Sequence, residues 1–470
     1  MISTRPALRV IVLLCTFGGA AAAATTGALV DRNGRPVSGA TIRALPFETE
    51  DAVKRRIATA AAEPEPLATA TSDARGRFSL EGDSAYFRIA VDAKGFAPLV
   101  DQAEKNEFVG TLLLEPADLV TFKLEGDGEP VSGAFVRAGT RELRSDANGT
   151  VVVAVPKSGG GSIWIAHPAW APLLKTFRRA SELPNTIAMT RGIAVRGAVE
   201  TPAGEPVPAA TIEVDGVPAA TSGDDGTFVV AQAPSGWREL TARRGDEIGM
   251  ATRRPGVAWY RIRLADGASI SGTVLDAKTK APLAGVPVTA MDDRPGDPRG
   301  PSFLAGQPDA LTDAKGRFRI GPLGSGSHRL FASRIGYEFS FMVVEVRSGE
   351  RAEKTIGGQR LARISGTVVD EERRPIGAAA VGVAEDSRRQ MAAYGTVMSF
   401  AMPSSVAIAR PFWSSSDGEW VVREAPVDRE AVVEAVRTGL PHGKTDAMKL
   451  GPGEKKEKVV IVIPRGITVE

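Results

Sequence analysis

The chain has 470 residues, of which 43% are hydrophobic and 24% are charged, with 58 Lys and Arg against 56 Asp and Glu. This composition excludes an intrinsically disordered chain, and the length allows roughly three to five domains. The formal net charge of only +2 gives little electrostatic attraction to nucleic acid or anionic lipid, so neither is expected as a partner.

The first predicted element is a signal peptide at residues 1–24. Two arginines precede an apolar stretch, and Ala20–Ala24 supplies small residues that suit cleavage. Because the apolar stretch is shorter than the roughly 20 residues that span a bilayer, a retained anchor is the less favoured alternative. Cys15 is the only cysteine and would leave with this segment. The sequence therefore predicts an exported protein without disulfides, located in the periplasm, on the cell surface or outside the cell.

After this segment, one pattern recurs five times: a short apolar strand, a turn with proline, and later a turn of Asp and Gly that leads into an alternating strand. The fullest copy consists of Ser271–Asp276, Pro282–Val286 and Asp313–Phe318. Proline ends a strand, the Asp side chain accepts nearby backbone N–H groups, and glycine tolerates positive φ. The five turns are Asp73–Gly76, Asp146–Gly149, Asp224–Gly226, Asp313–Gly316 and Asp417–Gly418.

Repeats of this length predict a tandem array of small β-sandwiches rather than one large domain. The predicted boundaries are 26–114 for unit one, 115–191 for unit two, 192–265 for unit three, 266–361 for unit four and 362–465 for unit five. Residues 466–470 echo the start of unit three and predict the beginning of a further repeat. Since almost no linker separates the units, the sequence favours a stiff, extended rod.

Three insertions interrupt the repeat. Phe47–Ala70 predicts a short helix at Asp51–Ala62, and Arg294–Asp309 is rich in Pro and Gly and predicts irregular structure. The longest insertion, Asp386–Ser416, is apolar and leaves two interpretations open: a ligand-binding surface, or a cover for the sandwich edge or the next unit. Glu430–Arg437 has a helix-like composition, but its place in the repeat predicts a strand.

No pattern predicts a catalytic, cofactor-binding or metal site, so none is assigned. The three histidines, His167, His328 and His442, lie in different units without metal-ligand spacing, which favours structural roles. Carboxylates in Gly126–Glu129 and Ser222–Gly226 are too few for the six to eight oxygens that calcium requires.

The repeated strand, Pro turn and Asp/Gly turn resemble the carboxypeptidase regulatory-like domain family, a transthyretin-like fold related to collagen-adhesin B-type domains. The resemblance covers nearly all of the mature chain and is most specific in units one and four. It implies an all-β fold in which each unit is an Ig-like or transthyretin-like antiparallel Greek-key sandwich. It carries no catalytic residues, because such modules serve as spacers, adhesion modules or presentation elements.

The resemblance also bears on three features of unit two. Related adhesin domains can carry a Lys–Asn isopeptide bond, and Lys123 and Asn185 form the candidate pair. Trp164 and Trp170 fall where the repeat expects strand and core, so they are predicted to be structural rather than carbohydrate-binding.

Three functional hypotheses follow. The favoured one is an exported, non-enzymatic scaffold, spacer or adhesion protein of the bacterial cell envelope. The second is a carbohydrate- or peptide-binding protein with its site in Asp386–Ser416, and the third is the accessory N-terminal region of a larger exported hydrolase or transporter. The expected partner is a protein or carbohydrate ligand at the cell surface; no cofactor and no transmembrane segment after signal cleavage are expected.

Overall fold

A computed structural model describes residues 24–58, 61–139, 141–157, 159–292, 307–384 and 412–464. The predicted signal peptide, the predicted start of a further repeat and most of the second and third insertions lie outside these residues. Within them the regular secondary structure is almost wholly β-strand, which confirms the all-β fold class. None of the helices in the described ranges is long and apolar enough to cross a membrane.

The elements of units one and two follow the repeat. Unit one contains β1 Thr25–Val30, β2 Thr41–Leu45, α1 Glu50–Ala58, β3 Ala68–Thr71, β4 Arg77–Leu80, β5 Tyr86–Asp92, β6 Leu99–Glu104 and β7 Phe108–Leu113. Unit two contains β8 Ala117–Gly126, β9 Glu129–Pro130, β10 Phe135–Ala138, β11 Arg141–Arg144, β12 Thr150–Pro156, β13 Gly161–His167, β14 Trp170–Phe177, a 3₁₀ helix at Ala180–Glu182 and β15 Thr186–Met189.

Units three, four and five repeat the same order of elements. Unit three, with the segment that joins it to unit four, contains β16 Ile193–Glu200, β17 Thr211–Val214, β18 Val217–Thr221, β19 Thr227–Ala233, β20 Glu239–Arg244, β21 Glu247–Thr252, β22 Trp259–Arg263 and β23 Ala265–Asp266. Unit four contains β24 Ala268–Asp276, β25 Pro287–Asp292, β26 Ala310–Leu311, β27 Arg317–Leu323, β28 Gly326–Ala332, β29 Tyr337–Phe339, β30 Met342–Val346 and β31 Arg351–Arg360. Unit five contains β32 Ala362–Val369, β33 Ala380–Val383, β34 Phe412–Trp413, β35 Glu419–Ala425, β36 Glu430–Ala431, β37 Val433–Val436, β38 Gly443–Lys444, β39 Met448–Lys449 and β40 Lys455–Val462.

The first strand of each unit lies between the strand that follows the Asp/Gly turn and the last strand. In unit one, β1 pairs antiparallel with β4 and parallel with β7. The same arrangement recurs for β8 with β12 and β15, β16 with β19 and β22, β24 with β27 and β31, and β32 with β35 and β40. The parallel pair departs from the purely antiparallel sandwich that the resemblance implies. It arises because the chain crosses back from the second sheet before its last strand.

Each unit has its own hydrophobic core between two sheets. The alternating residues after the turns point into these cores, as Phe78 and Leu80 do in unit one and Trp420 and Val422 do in unit five. Burial of one strand face is what a period of two residues predicts. The boundaries between units stay a prediction, because each core lies well inside its predicted range.

The glycine that ends each Asp/Gly turn is required by its backbone and by its surroundings. Its φ lies between 72° and 75° in all five turns, a region that favours glycine. A Cβ added at Gly76 would lie 2.4 Å from the carbonyl oxygen of Leu29 on the first strand, and the other four glycines face the first strand of their own units in the same way. The turn can therefore pack against the strand only through glycine.

The side chain that closes the turn differs between units. In unit one, Asp73 Oδ1 accepts hydrogen bonds from the N–H groups of Arg75 and Arg77, both at 2.8 Å. In unit five, Ser415 Oγ replaces the Asp carboxylate and accepts hydrogen bonds from the N–H groups of Asp417 and Glu419 at 3.2 and 3.1 Å. The predicted role of Asp417 as the closing side chain is therefore wrong, because it occupies the position of Arg75.

A buried hydroxyl group precedes every turn, and the sequence pattern did not predict it. Ser72 Oγ accepts the N–H of Ala40 at 3.0 Å and donates to the carbonyl of Val37 at 2.8 Å. It thus ties the Pro turn to the Asp/Gly turn. The same two bonds recur in each of the other units. The hydroxyls come from Ser72, Ser145, Ser222, Thr312 and Ser414.

Two local predictions are confirmed. The helix expected at Asp51–Ala62 is α1, whose acidic first turn and basic last turn complement the helix dipole. The strand expected at Glu430–Arg437 is formed by β36 and β37. Tertiary pairing with β33 overrides the helical propensity of this segment.

Candidate functional site: the junctions around unit one

The five sandwiches do not form the extended rod that the short linkers predict. Unit one contacts units two, three, four and five through buried or half-buried polar side chains and through a shared sheet. The prediction is wrong because linker length limits only neighbouring units, whereas the surface of unit one binds units that are remote in sequence.

Unit one and unit five share one sheet. Its order is β38-β37-β33-β34-β7-β1-β4, and Trp413 on β34 pairs with Thr111 on β7. Phe412–Ser416 is the described end of the third insertion, and the rest of Asp386–Ser416 lies outside the described residues. At this end the insertion extends a sheet between two units, as the covering interpretation predicts. The ligand-binding interpretation stays a prediction.

Arg423 on β35 of unit five is the most deeply buried charged group at this junction, with a side chain that is 1% exposed. Its guanidinium donates to both carboxylate oxygens of Glu107 at 2.7 Å and to Asp101 Oδ2 at 3.1 Å. It also donates to the carbonyl oxygen of Gln102 at 2.7 Å. All of these acceptors belong to unit one, so the arginine is solvated by another sandwich instead of by water.

The carboxylate of Glu107 accepts hydrogen bonds from two arginines of unit five. Besides Arg423, Arg363 Nη1 donates to it at 3.0 Å, and the carboxylate also accepts the N–H of Glu104 at 3.0 Å. Burial opposes ionisation of Glu107, but the two guanidinium groups outweigh it and lower the pKa of the carboxyl. The group is therefore a buried carboxylate whose charge is stabilised by two arginines of unit five.

Unit four binds unit one through an aromatic ring and an ion pair. The Tyr86 hydroxyl accepts the N–H of Ile335 at 3.1 Å, and Arg334 Nη2 lies 2.8 Å from Glu104 Oε1. The Arg334 guanidinium also stands 5.2 Å from the centre of the Tyr86 ring, within cation–π range. Burial raises the pKa of Tyr86 well above its usual range.

The helix α1 connects unit one to units two and three. Lys54 Nζ lies 3.4 Å from Glu213 of unit three, and both side chains are buried. Arg56 Nη2 donates to Glu142 of unit two at 3.0 Å, and its Nε donates to Glu48 at 3.0 Å. The first insertion is therefore a bridge between sandwiches, which the sequence did not reveal.

A cavity of about 380 Å³ lies between α1, the second sheet of unit one and the β10–β11 hairpin of unit two. Strand alternation explains its charged wall, because core residues occupy the opposite face of β2 and β5. The described arginines that line it are Arg43, Arg56, Arg88, Arg137 and Arg141. The described carboxylates that line it are Glu48, Glu63, Asp92 and Glu142.

The individual residues named in the sequence analysis lie either in the hydrophobic cores or on the surface of single units. Trp164 and Trp170 are buried, which confirms their predicted role, and the ring of His328 is buried with Nε2 2.9 Å from the carbonyl oxygen of Gly324. Lys123 lies on β8 and Asn185 directly precedes the neighbouring strand β15, and the N–H of Lys123 donates to the carbonyl of Asn185 at 2.8 Å. Both residues are exposed, so the structure does not place this pair in a dry interior.

The two carboxylate-rich loops use their carboxylates within the protein. Asp127 Oδ2 lies 2.9 Å from Arg191 Nη2, and Asp225 Oδ1 accepts the N–H of Thr227 at 2.9 Å. Across the described ranges, three or more His, Cys, Asp or Glu side chains nowhere converge to hold a metal ion.

Residues 269–356, within unit four, match the family model of the carboxypeptidase regulatory-like domain. The resemblance drawn from the repeated turns is thereby confirmed for this unit. No curated protein matches the chain.

Solved structures similar to the chain include three bacterial proteins, two of which are pilins. The Bacillus anthracis TIE protein is 11% identical, with 81% of this chain and 72% of that chain covered and a TM-score of 0.19. A streptococcal ancillary pilin is 11% identical, with coverage of 58% and 99% and a TM-score of 0.24. The minor pilin of Streptococcus agalactiae is 15% identical, with coverage of 43% and 98% and a TM-score of 0.24. Similarities of this size carry no conclusion about what this chain does.

Proposed function

We propose that the chain is an exported, non-enzymatic scaffold or adhesion protein of the bacterial cell envelope, in which four sandwiches are docked on a fifth. The observation that carries the proposal is the buried contact of Arg423 with Glu107, which joins the two ends of the repeat array. Domains that are merely tethered need no buried charge pair, because their default is independent motion. A docked array instead holds the loops and outer sheet faces of all five units at fixed positions.

The proposed partner is a protein or carbohydrate at the cell surface. Several outer sheet faces carry exposed apolar side chains that a partner could cover, such as Leu119 and Val152 on unit two and Phe341 and Val343 on unit four. These side chains are spread over separate units, so presentation of several surfaces together suits the arrangement better than one deep cleft.

Small-angle scattering of the mature chain tests the docked arrangement. We expect a radius of gyration between roughly 22 and 30 Å, the lower figure being that of one compact chain of this length. A rod of five sandwiches would give a value about twice as large or more, and would contradict the proposal.

Cell fractionation with protease shaving of intact cells tests location and role. The 470-residue chain, expressed in a bacterium with its own first 24 residues, should appear in the envelope or the medium. A matched chain without residues 1–24 should stay inside the cell. In-cell crosslinking should then capture surface proteins or glycans. Retention of the 470-residue chain in the cytoplasm, or turnover of a substrate by the purified protein, would contradict the proposed function.

A further inference from the structure

Three of the arginines around the cavity are neutralised by its carboxylates. Arg56 bonds Glu142 of unit two, as described above. Arg43 and Arg141 share Asp92, with nitrogen–oxygen distances of 3.1 and 3.2 Å. The Arg56–Glu142 and Arg141–Asp92 pairs join unit one to unit two, whereas the Arg43–Asp92 pair lies within unit one.

The remaining two arginines have no such partner. Arg88 Nε donates to the carbonyl oxygen of Pro46 at 3.3 Å, and Arg137 Nη2 reaches the amide oxygen of Gln307 at 3.2 Å when that amide is oriented to satisfy both groups. Within the described part of the chain, no carboxylate lies within 4.0 Å of either guanidinium, and Arg137 Nη1 is buried without an acceptor. Burial, the largest influence, lowers the pKa of both arginines. Glu48 and Glu142 attract both charges from beyond ion-pair distance, so each guanidinium is held in a partly dry place without a carboxylate in direct contact.

We propose that the cavity binds a small organic carboxylate between Arg88 and Arg137. Guanidinium groups present paired N–H donors that match the two oxygens of a carboxylate. The volume of about 380 Å³ lies within the range of small-molecule sites. Unit one supplies Arg88 and unit two supplies Arg137, so the site exists only when the two sandwiches are docked.

Charge balance favours a singly charged ligand. The five arginines and four carboxylates of the described wall sum to a formal charge of +1. A dianion such as phosphate would meet repulsion from the four carboxylates, whereas a neutral sugar would leave both guanidinium groups unpaired. Leu45, Leu99 and Val100 also line the cavity and offer an apolar surface to the carbon skeleton of the ligand.

Calorimetric titration of the mature chain with three sodium carboxylates tests the site at constant ionic strength. The probes are acetate, D-glucuronate for a sugar acid, and N-acetyl-alanine for a peptide carboxyl terminus; D-glucose and inorganic phosphate are the comparisons. We expect at least one carboxylate to bind more tightly than both comparisons. Arg88→Gln and Arg137→Gln should each weaken that binding about ten- to a hundredfold, the loss of a charge-assisted hydrogen bond.

Arg144→Gln is the matched control, because Arg144 lies on β11 of the same unit-two hairpin but does not line the cavity. It should leave binding unchanged. Thermal unfolding without ligand separates binding from folding: Arg137→Gln should unfold at the same temperature as the parent chain or higher, since it removes a buried unpaired charge. Binding of no carboxylate, tighter binding of phosphate, or equal binding by the parent chain and both cavity variants would each overturn the proposal.

Discussion

The junction between units one and five differs in kind from the junction between units three and four. At the first, Arg423 is almost fully buried against Glu107. At the second, Arg319 lies 3.0 Å from Asp246, but these side chains are 49% and 62% exposed. The residues of the first pair are 316 positions apart, whereas those of the second are 73 apart and belong to consecutive units.

This difference shows that units joined directly by the chain can be held by weaker contacts than units that are remote in sequence. Units three and four are held near one another by the chain, so their effective concentration is high and weak surface contacts suffice there. Units one and five are joined only through three other sandwiches, so closure of the array depends on non-covalent contacts between these two units. A shared sheet and a desolvated ion-pair cluster supply the stronger interaction that this closure needs.

The largest expected effect is that of Arg423→Met. This change leaves Glu107 buried with only part of its counter-charge, and breaking such a pair costs about 3–5 kcal/mol. We expect unit five to detach first in urea unfolding and to become sensitive to protease. Arg319→Met is the matched control at the exposed junction and should change stability by less than about 1 kcal/mol. Equal losses in the two variants would remove the distinction between the junctions.

Gly110→Ala should have the next largest effect. Gly110 has φ of 85°, and an added Cβ would lie 2.5 Å from Val421 Cγ1 of unit five. Backbone strain and this contact together should cost about 1–3 kcal/mol, measured by urea unfolding. Gly128→Ala is the control, because Gly128 has φ of 87° but open space around it. If the two variants lose the same stability, the contact with unit five contributes nothing.

Acid should loosen the same junction by a smaller amount. Because the folded protein lowers the pKa of Glu107 below its ordinary 4.5, the stability from this carboxylate is complete above that pH. It is lost as pH falls through the lower folded-state value. We expect urea unfolding between pH 7 and pH 3 to show this loss. In Arg423→Met the loss should be shallower; an unchanged pH profile would show that the pair does not govern the response.

The smallest expected effect is that of Arg77→Ala. Arg77 Nη2 lies 2.8 Å from Asp417 of unit five, but the side chains are 46% and 50% exposed. Although the pair lies at the strong junction, its loss should cost less than about 1 kcal/mol, and added salt should remove even that difference. A loss as large as that of Arg423→Met would show that position in the junction, rather than burial, sets the strength.

The repeat was predictable because its determinants act over a few residues. The Pro turn, the turn glycine and the alternation of Phe78 with Leu80 each follow from local backbone preferences and strand geometry. Ser72 could have been found in the same way, because a Ser or Thr directly precedes the Asp of three turns and lies two or three residues before the Asp of the other two. The residue at the position of Asp73 varies, being Gly223 in unit three and Ser415 in unit five, which is why Ser415 was missed.

The junctions and the cavity were not predictable in this way. Alternation indicates that Val422 faces the core and Arg423 faces outward, and an outward arginine is ordinarily solvated. The outer face of β35 becomes buried only because unit one covers it. Arg88 and Arg137 are likewise outward residues of two different sandwiches, and their encounter depends on the relative placement of the units.

The parallel pairing of the first and last strands gives every sandwich a direction. The chain enters at one end of this pair and leaves at the opposite end. A pulling force on the termini of a unit therefore acts along the two strands and loads their hydrogen bonds together, instead of opening them one after another. Because each of the five units has this parallel pair, tension along the backbone loads five such pairs in series.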